Sequence, residues 1–172
     1  MITSYYYFIQ SYISHSKKIK DKDKYYLYND NKFEFNYYLC RPKILYIMNI
    51  PDNLKYTKDH EWVLLNGNIA TIGITDFAQG ELGDIVFIEI ETEGEDLDRE
   101  SVFGTIEAVK TVSDLYMPLS GMVIEVNADL ESNPELINKD PYKGGWMIKI
   151  ELSNLEEIDL LLSAKEYGEL LG

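Results

Sequence analysis

The side chain with the clearest chemical potential is Lys110, a lone amine in an acidic stretch. It is the only basic residue between Arg99 and Lys139. Seven acidic residues share that interval, namely Glu100, Glu107, Asp114, Glu125, Asp129, Glu131 and Glu135. A lysine amine can serve as a covalent attachment point, because an amide bond to a carboxylic cofactor removes its charge.

The residues around Lys110 predict a β-hairpin with the lysine at or near its tip. Small and apolar residues alternate over 102–108, and residues 111–112 can begin the return strand. The plain interpretation of Lys110 is a solvated turn residue that relieves local negative charge. The functional interpretation is an attachment point, since a rigid tip presents the amine to a modifying enzyme and tethering raises the local concentration of a reactive group.

No convincing catalytic motif accompanies this lysine. The run Asp59-His60-Glu61 is too short for the HExxH zinc motif, and no Gly-rich phosphate loop is present in the sequence. His60 is interpreted as a packing or hydrogen-bonding residue beside Trp62. The acidic run over 93–100 lacks the EF-hand spacing and is interpreted as a solvated loop.

Composition narrows the class of protein. The 172 residues hold 16 basic and 30 acidic side chains, a net charge of -14, which disfavours binding to a nucleic-acid backbone. One cysteine cannot form an internal disulfide, and two histidines cannot build a His-rich metal site. No stretch of the sequence reaches the roughly 18 consecutive apolar residues of a membrane span.

Charge divides the chain into two segments. Residues 1–50 hold 8 basic and 4 acidic side chains, a net of +4, whereas residues 51–172 hold 8 and 26, a net of -18. The first segment is hydroxylated and poor in acid near its start, which favours an organelle-targeting extension, mitochondrial or alternatively of plastid type. A secretory-type route and a disordered extension remain open. Cys40 and His15 fall in this segment and receive no role.

Residues 51–172 form the predicted functional domain, and period-2 patterns predict that it consists mainly of short strands. Asn66-Gly67 between apolar runs predicts a hairpin. Apolar residues alternate at 86, 88 and 90, at 122, 124 and 126, and at 146, 148, 150 and 152. Residues 83–88 are weakly echoed by 121–126 at an offset of 38, which suggests two similar halves joined by the hairpin of Lys110.

Helix signals are fewer. Asp76 with Gln79, and Asn133 with Pro134, are candidate helix starts. The runs 153–156 and 163–166 both fit a capping box, so one or two C-terminal helices are expected against a β body.

A series of longer stretches follows one another along residues 52–170. They are 55–62, 72–79, 82–87, 107–114, 117–121, 136–138, 140–142, 145–146 and 164–167. In these stretches, and in their order and spacing, the domain closely resembles the H protein of the glycine cleavage system, a lipoyl carrier family. The resemblance implies a mainly β fold of the lipoyl/biotinyl barrel-sandwich hybrid type, with a few short helices and a C-terminal helix.

The resemblance also implies a cofactor-attachment site and a series of partner enzymes. Lys110 corresponds to the lipoyl-lysine, with lipoic acid as the covalently bound cofactor. The usual attachment sequence of the family has serine at Ala108 and alanine at Thr111, while Glu107 and Asp114 are kept. The implied protein is a non-catalytic carrier, by default a monomer. It passes the aminomethyl group of glycine from the decarboxylase (P protein) to the aminomethyltransferase (T protein), then electrons to dihydrolipoyl dehydrogenase (L protein).

In such proteins the loaded arm folds into a surface cleft that protects its cargo from water. By motif position, Glu61 and Asp114 are expected near that cleft, where a carboxylate can hydrogen-bond the cationic amine. Phe77 stands where some members of the family carry histidine, which removes one polar contact. The negative charge of the domain fits transient docking on basic patches of several partners, the lipoylating enzyme among them, or solubility alone.

Three other functions stay open from the sequence. An H-like protein can serve mainly as a lipoyl donor or relay to other enzymes. The domain can also be an unmodified interaction module that kept the fold, although Glu107, Lys110 and Asp114 argue against this. A biotin carrier is disfavoured because the neighbours of Lys110 are Val109 and Thr111 rather than methionines, and an autonomous enzyme has the least support.

Overall fold

The structure is a computed structural model that describes residues 17–21, 24–28 and 49–172. The chain divides into two compact units, Met1–Leu45 and Tyr46–Gly172. In the first unit, β1 (Lys17–Asp21) and β2 (Lys24–Tyr28) pair antiparallel. Apart from these two strands and residues 49–50, the segment 1–50 and the targeting interpretation that rests on it lie outside the described residues, as do Cys40 and His15.

The second unit is mainly β, as the alternating patterns predict. Its larger sheet has seven antiparallel strands in the order β12, β3, β4, β5, β11, β10 and β7. Their bounds are β3 (Lys55–Tyr56), β4 (Glu61–Asn66), β5 (Ile69–Ile74), β7 (Asp96–Leu97), β10 (Gly121–Val126), β11 (Ile148–Leu152) and β12 (Leu162–Ser163). A second sheet has three antiparallel strands in the order β6 (Ile85–Glu89), β8 (Val102–Ala108) and β9 (Thr111–Tyr116).

The first hairpin of the larger sheet turns one residue later than predicted. Asn66 still pairs with Ile69 as part of β4, so the two turn residues are Gly67 and Asn68. Gly67 has a φ of 62°, and Asn68 has no positive φ. Positive φ at the first central residue alone is the pattern of a type II′ turn, in which glycine takes that position without steric cost.

The main core gathers apolar side chains from both sheets. Its fully buried members include Val63, Ile72, Phe103, Ile106, Leu119, Val123, Met147, Ile148 and Ile150. A second, mostly aromatic cluster consists of Leu54, Tyr56, Trp62 and Tyr167. Trp62 lies across Gly73, where an added Cβ would come within 2.7 Å of the indole ring, and its Nε1 donates to the carbonyl of Pro141 at 3.0 Å.

Two strands depart from simple alternation in the same way. In β6 the register with β8 shifts between Ile85 and Phe87, and in β10 the register with β11 shifts between Val123 and Glu125. These positions are 38 residues apart, the offset of the sequence echo. Because each irregularity reverses the inward face, the alternating sets at 86/88/90 and 122/124/126 are wrong as continuous buried faces, although Ile90 and Val126 pack partly buried against the core. Ile85, Ile88 and Val123 are buried, whereas Val86, Met122 and Ile124 are exposed.

Four helical segments of this unit are α1 (Asp76–Leu82), α2 (Asp129–Ser132), α3 (Leu136–Lys139) and the C-terminal α4 (Ala164–Leu171), with a 3-10 helix over Leu155–Leu160. Ser163 and Glu166 form the predicted capping box of α4. Three other predicted starts are wrong in detail. The N-cap of α1 is Thr75 rather than Asp76, α3 begins after Asn133-Pro134 at Leu136, and Asn154 rather than Ser153 caps the 3-10 helix.

The fold contains no membrane-spanning helix among the described residues, because none is long and apolar enough.

Candidate functional site around Lys110

Lys110 lies at the tip of the β8–β9 hairpin, as the sequence predicts. Ala108 pairs with Thr111, which leaves Val109 and Lys110 as the two turn residues. Both are exposed, Val109 by 75%. The Val109 N–H donates to the carbonyl of Asp84 at 3.0 Å, so the tip is fastened to the segment before β6. The backbone that carries Lys110 is therefore held at one place on the surface.

The stem of Lys110 lies over Gly83, the residue that caps α1. A Cβ added at Gly83 would lie 3.3 Å from Cε and 3.6 Å from Nζ of Lys110. Gly83 also has a φ of 83°, a conformation that side chains other than glycine rarely adopt. Gly83 therefore has two roles. It ends α1 in a conformation that glycine readily adopts, and its lack of a side chain leaves room for the stem of Lys110.

Asn138 of α3 fixes the position of Gly83. Its Nδ2 donates to the Gly83 carbonyl and to Gln79 Oε1, both at 2.9 Å, and its Oδ1 accepts from the Ile85 N–H at 2.9 Å. Gln79 in turn donates to the carbonyl and carboxylate of Asp76. This network joins α1, α3 and β6 beneath the hairpin tip. The sequence shows Asn138 only as part of the family-like stretch 136–138.

Glu107 and Asp114 lie on the outer face of the three-stranded sheet. Both are exposed, and Glu107 faces Val112 across the hairpin while Asp114 faces Thr105. Asp114 Oδ2 accepts from Tyr116 Oη at 3.4 Å. Between residues 49 and 172, no hydrogen bond or ion pair joins Glu107, Asp114 or Glu61 to Lys110. Glu107 and Asp114 are thus part of the surface that an incoming enzyme meets beside Lys110.

Glu61 is different, because it is an acid inside the protein. It is 5% exposed at the start of β4. The hydroxyl of Thr57 accepts from the Glu61 N–H at 3.1 Å and donates to the Glu61 carboxylate. Burial raises the pKa of Glu61, against the lowering effect of the Thr57 hydrogen bond, and Asp59 raises it further. A buried carboxylate with one hydroxyl donor and no cation costs stability when it ionises.

This cost gives a first prediction, for Glu61→Gln. Because the folded pKa lies above the unfolded one, the stability that Glu61 contributes is lost as the pH rises through the folded pKa. The amide removes the ionisation while its oxygen still accepts from Thr57. We expect a higher thermal midpoint than the wild type at pH 7, and a difference that vanishes below about pH 4.

Thermal unfolding between pH 3 and 8 tests this, with exposed Glu91→Gln as the control that leaves the pH profile unchanged. Parallel profiles for Glu61→Gln and the wild type would contradict it.

A strip along α1 connects the lysine to the neighbourhood of Glu61. Phe77, Gly80 and Gly83 follow one another at three-residue spacing and so form one oblique row of the helix surface. A Cβ at Gly80 would meet nothing within 4 Å. The Phe77 ring contacts the His60 ring at a centroid distance of 4.6 Å, and His60 precedes Glu61. Along the helix axis, Gly83 and Phe77 are about 9 Å apart.

His60 is a packing and hydrogen-bonding residue, as predicted, and its hydrogen-bond partner is Tyr167. His60 Nδ1 and Tyr167 Oη lie 2.8 Å apart, and burial lowers the pKa of His60, against Asp59 and Glu81. Tyr167 is a site residue that the sequence did not indicate, although it ends the family-like stretch 164–167. Among the described residues, no group of three or more His, Cys, Asp or Glu side chains could hold a metal.

An antiparallel β unit that holds one lysine stem on a fixed hairpin tip, over a glycine that makes room for it, has the construction of a carrier domain. The model of the glycine cleavage H-protein family matches residues 54–172. A glycine cleavage system H protein of Bacteroides fragilis is 58% identical over 120 residues, which cover 70% of this chain and 95% of the relative. The chain belongs to the glycine cleavage H-protein family.

A solved structure agrees with this assignment. The crystal structure of a glycine cleavage system H protein from Mycobacterium marinum has a TM-score of 0.66 and 37% identity, over 72% of this chain and 99% of that one. The family resemblance seen in the sequence is therefore confirmed, and with it the fold class. The structure describes two antiparallel sheets within residues 49–172 and no closed barrel there.

Proposed function

We propose that the chain carries a lipoyl group on Lys110 and acts as the lipoyl carrier of the glycine cleavage system. The observation that supports this most directly is the exposed amine at a fastened hairpin tip, in a chain that is 58% identical to an H protein. The role is that of a carrier rather than an enzyme.

The residues at the tip fit such a group. Nζ would form an amide with the carboxyl carbon of lipoic acid, and the surrounding surface leaves the amine accessible to the enzyme that makes this bond. Gly83 leaves space beside Cε and Nζ that any larger side chain would fill. When bound, the lipoyl group would supply a disulfide that takes up the aminomethyl group of glycine, and the dithiol left after transfer of that group would be reoxidised to the disulfide.

The chain supplies position and protection. The α1 strip of Phe77, Gly80 and Gly83 offers the arm a path from Lys110 to the buried end of β4. At that end Glu61 is the acid best placed to hold a cationic amine, because burial strengthens a charge-assisted contact. Asp114 stays on the exposed face, where its contribution is expected to be smaller.

The proposed partners are the decarboxylase, the aminomethyltransferase, dihydrolipoyl dehydrogenase and the lipoylating enzyme. Residues 51–172 carry a net charge of -18, which supports brief docking on basic surfaces. Glu107 and Asp114 beside Lys110 belong to this acidic surface. A monomer suits a carrier that must visit several enzymes in turn.

The intact mass of the protein purified from its native cells tests the proposal, followed by sequencing of the peptide that spans Lys110. We expect a lipoyl adduct on Lys110. An unmodified lysine in cells whose other lipoyl proteins are modified would refute the carrier function and favour an unmodified interaction module.

We further propose that residues 1–50 direct the protein to an organelle, a mitochondrion in the first instance. Their basic, hydroxylated composition supports this. The mature N-terminus, read from the same intact mass, tests the idea, and a mature chain that retains Met1 would contradict it.

Phe77 leads to a prediction about cargo release. Phe77→His places a hydrogen-bonding ring at the far end of the α1 strip, beside His60. If the loaded arm lies on this strip, one added hydrogen bond of about 1 kcal/mol should slow release of the cargo into buffer roughly fivefold. The rate of formaldehyde appearance from loaded protein, without partner enzymes, measures it. Phe87→His on the exposed face of β6 is the control, and equal rates for both variants would argue against the strip.

A further inference from the structure

One hydroxyl of the C-terminal helix joins two segments at the buried end of β4. Tyr167 of α4 is fully buried, and its Oη lies 2.8 Å from His60 Nδ1 and 2.9 Å from Thr75 Oγ1. Its ring stacks on Tyr56 at a centroid distance of 4.6 Å and an interplanar angle of 6°. Tyr167 is thereby fixed in both position and direction.

The two partners of Tyr167 lie at sensitive points. Thr75 is the N-cap of α1, and its hydroxyl accepts from the Ala78 N–H at 3.3 Å. His60 has a φ of 72°, in the left-handed region that costs a residue with a Cβ about 1 kcal/mol or more. The His60 carbonyl accepts from the Thr75 N–H at 2.9 Å. Backbone and side-chain contacts with Thr75 and Tyr167 together hold His60 in this costly conformation.

Glu61 directly follows this constrained residue. Its side chain has a donor in the Thr57 hydroxyl and lies within electrostatic range of Asp59 and Tyr167. No salt bridge of the described residues includes Glu61. The Glu61 carboxylate is therefore held by the Thr57 hydroxyl and by the backbone that precedes β4 rather than by a cation.

We propose that Tyr167 and His60 are positioning residues for Glu61, so that the C-terminal helix sets the arm-binding end of the carrier. Tyr167 is fully buried and therefore acts on the arm only through other residues. The pair holds the strained backbone before β4 and the start of α1 in one arrangement, which keeps the Glu61 carboxylate buried at the start of β4. The purpose of this positioning rests on the proposed lipoyl function, but the contacts themselves are present in the unmodified chain.

The first test therefore uses the unmodified full-length chain. Tyr167→Phe keeps the ring and removes only the hydroxyl that meets His60 and Thr75. Tyr56→Phe is the matched control, because Tyr56 stacks on the same ring but donates its hydroxyl to the Pro51 carbonyl at 2.8 Å. The readout is the pKa of Glu61 from a side-chain 13C titration. We expect it to fall toward the ordinary glutamate value in Tyr167→Phe, as the backbone relaxes and water reaches the carboxylate, and to stay raised in Tyr56→Phe.

The second test measures cargo release from loaded protein in buffer without partner enzymes. We expect Tyr167→Phe and Glu61→Gln each to release about fivefold faster than the wild type, which corresponds to one lost hydrogen bond. Tyr56→Phe should release at the wild-type rate. A structural effect alone would move both tyrosine variants in proportion to their loss in thermal midpoint.

The outcomes separate the two proposals. If Lys110 is never lipoylated, or if Glu61→Gln releases cargo like the wild type, the proposed arm site fails whatever Tyr167 does. If Glu61→Gln is fast but Tyr167→Phe matches Tyr56→Phe in both the titration and the release rate, the positioning role is overturned.

Discussion

Replacement of Lys110 by arginine should abolish lipoyl attachment and, with it, all transfer of the aminomethyl group, while the fold stays intact. Arginine keeps the positive charge and much of the reach of lysine, but its guanidinium is protonated under all relevant conditions and is no acyl acceptor. Lys110 is exposed at a two-residue turn, so the substitution should leave the stability of the folded state nearly unchanged. The loss should be complete, down to the rate without carrier, because no other lysine stands over a matching glycine in the described structure.

Intact mass and the exchange of glycine carboxyl carbon with bicarbonate, measured with the decarboxylase, report both parts of this result. Lys143→Arg is the matched control, since Lys143 is also exposed and lies on the loop before β11. It should be lipoylated and active at the wild-type level. A Lys110→Arg protein that still gains the adduct mass, or that still supports exchange, would place the attachment at another residue.

A large effect on stability is expected from Gly104→Ala, in the strand that leads to Lys110. A Cβ at Gly104 would lie 2.6 Å from the Glu89 carbonyl oxygen and 2.8 Å from Ile90 Cγ1. A backbone carbonyl cannot rotate away as a flexible side chain does, so β8 and the end of β6 must move apart. We expect a loss of about 3 kcal/mol, a large part of the stability of a domain of this size.

Chemical denaturation of the unmodified chain measures this loss, with Gly80→Ala as the control. Gly80 lies in α1 and an added Cβ there would meet nothing within 4 Å. Alanine at this helical position should stabilise the protein by about 0.5–1 kcal/mol. A tolerated Gly104→Ala substitution would mean that the two strands are less closely packed than described.

Stability and function oppose each other at Glu61 and at His60. Glu61 is buried with its pKa raised by burial, and His60 has a positive φ. Buried acids and strained residues of this kind persist at functional sites, where the surrounding structure holds them. If Glu61→Gln proves more stable yet releases cargo faster, the acid is retained for function at the expense of stability.

The hairpin of Lys110 shows most clearly how much of the structure the sequence predicts. Alternation over 102–108 and the return at 111–112 place Lys110 at a tip from local pattern alone, because strand periodicity and turn preference are properties of neighbouring residues. The same local logic misses the register irregularities in β6 and β10, and the one within β8 between Val102 and Gly104, where Phe103 rather than Val102 is buried. An inserted residue reverses the inward face, and only pairing with the neighbouring strand shows where that happens.

By itself, the sequence determined the family, the mainly β class, the acidic character and the lysine at the hairpin tip. By family resemblance it also placed Glu61 and Asp114 near one cleft, and the tertiary structure shows that the first is buried and the second exposed. Gly83 under the lysine stem, Asn138 across the α1–β6 junction and Tyr167 on His60 emerged only from the fold. These contacts join residues 27 to 107 positions apart, and no local pattern encodes which distant side chain fills a given place.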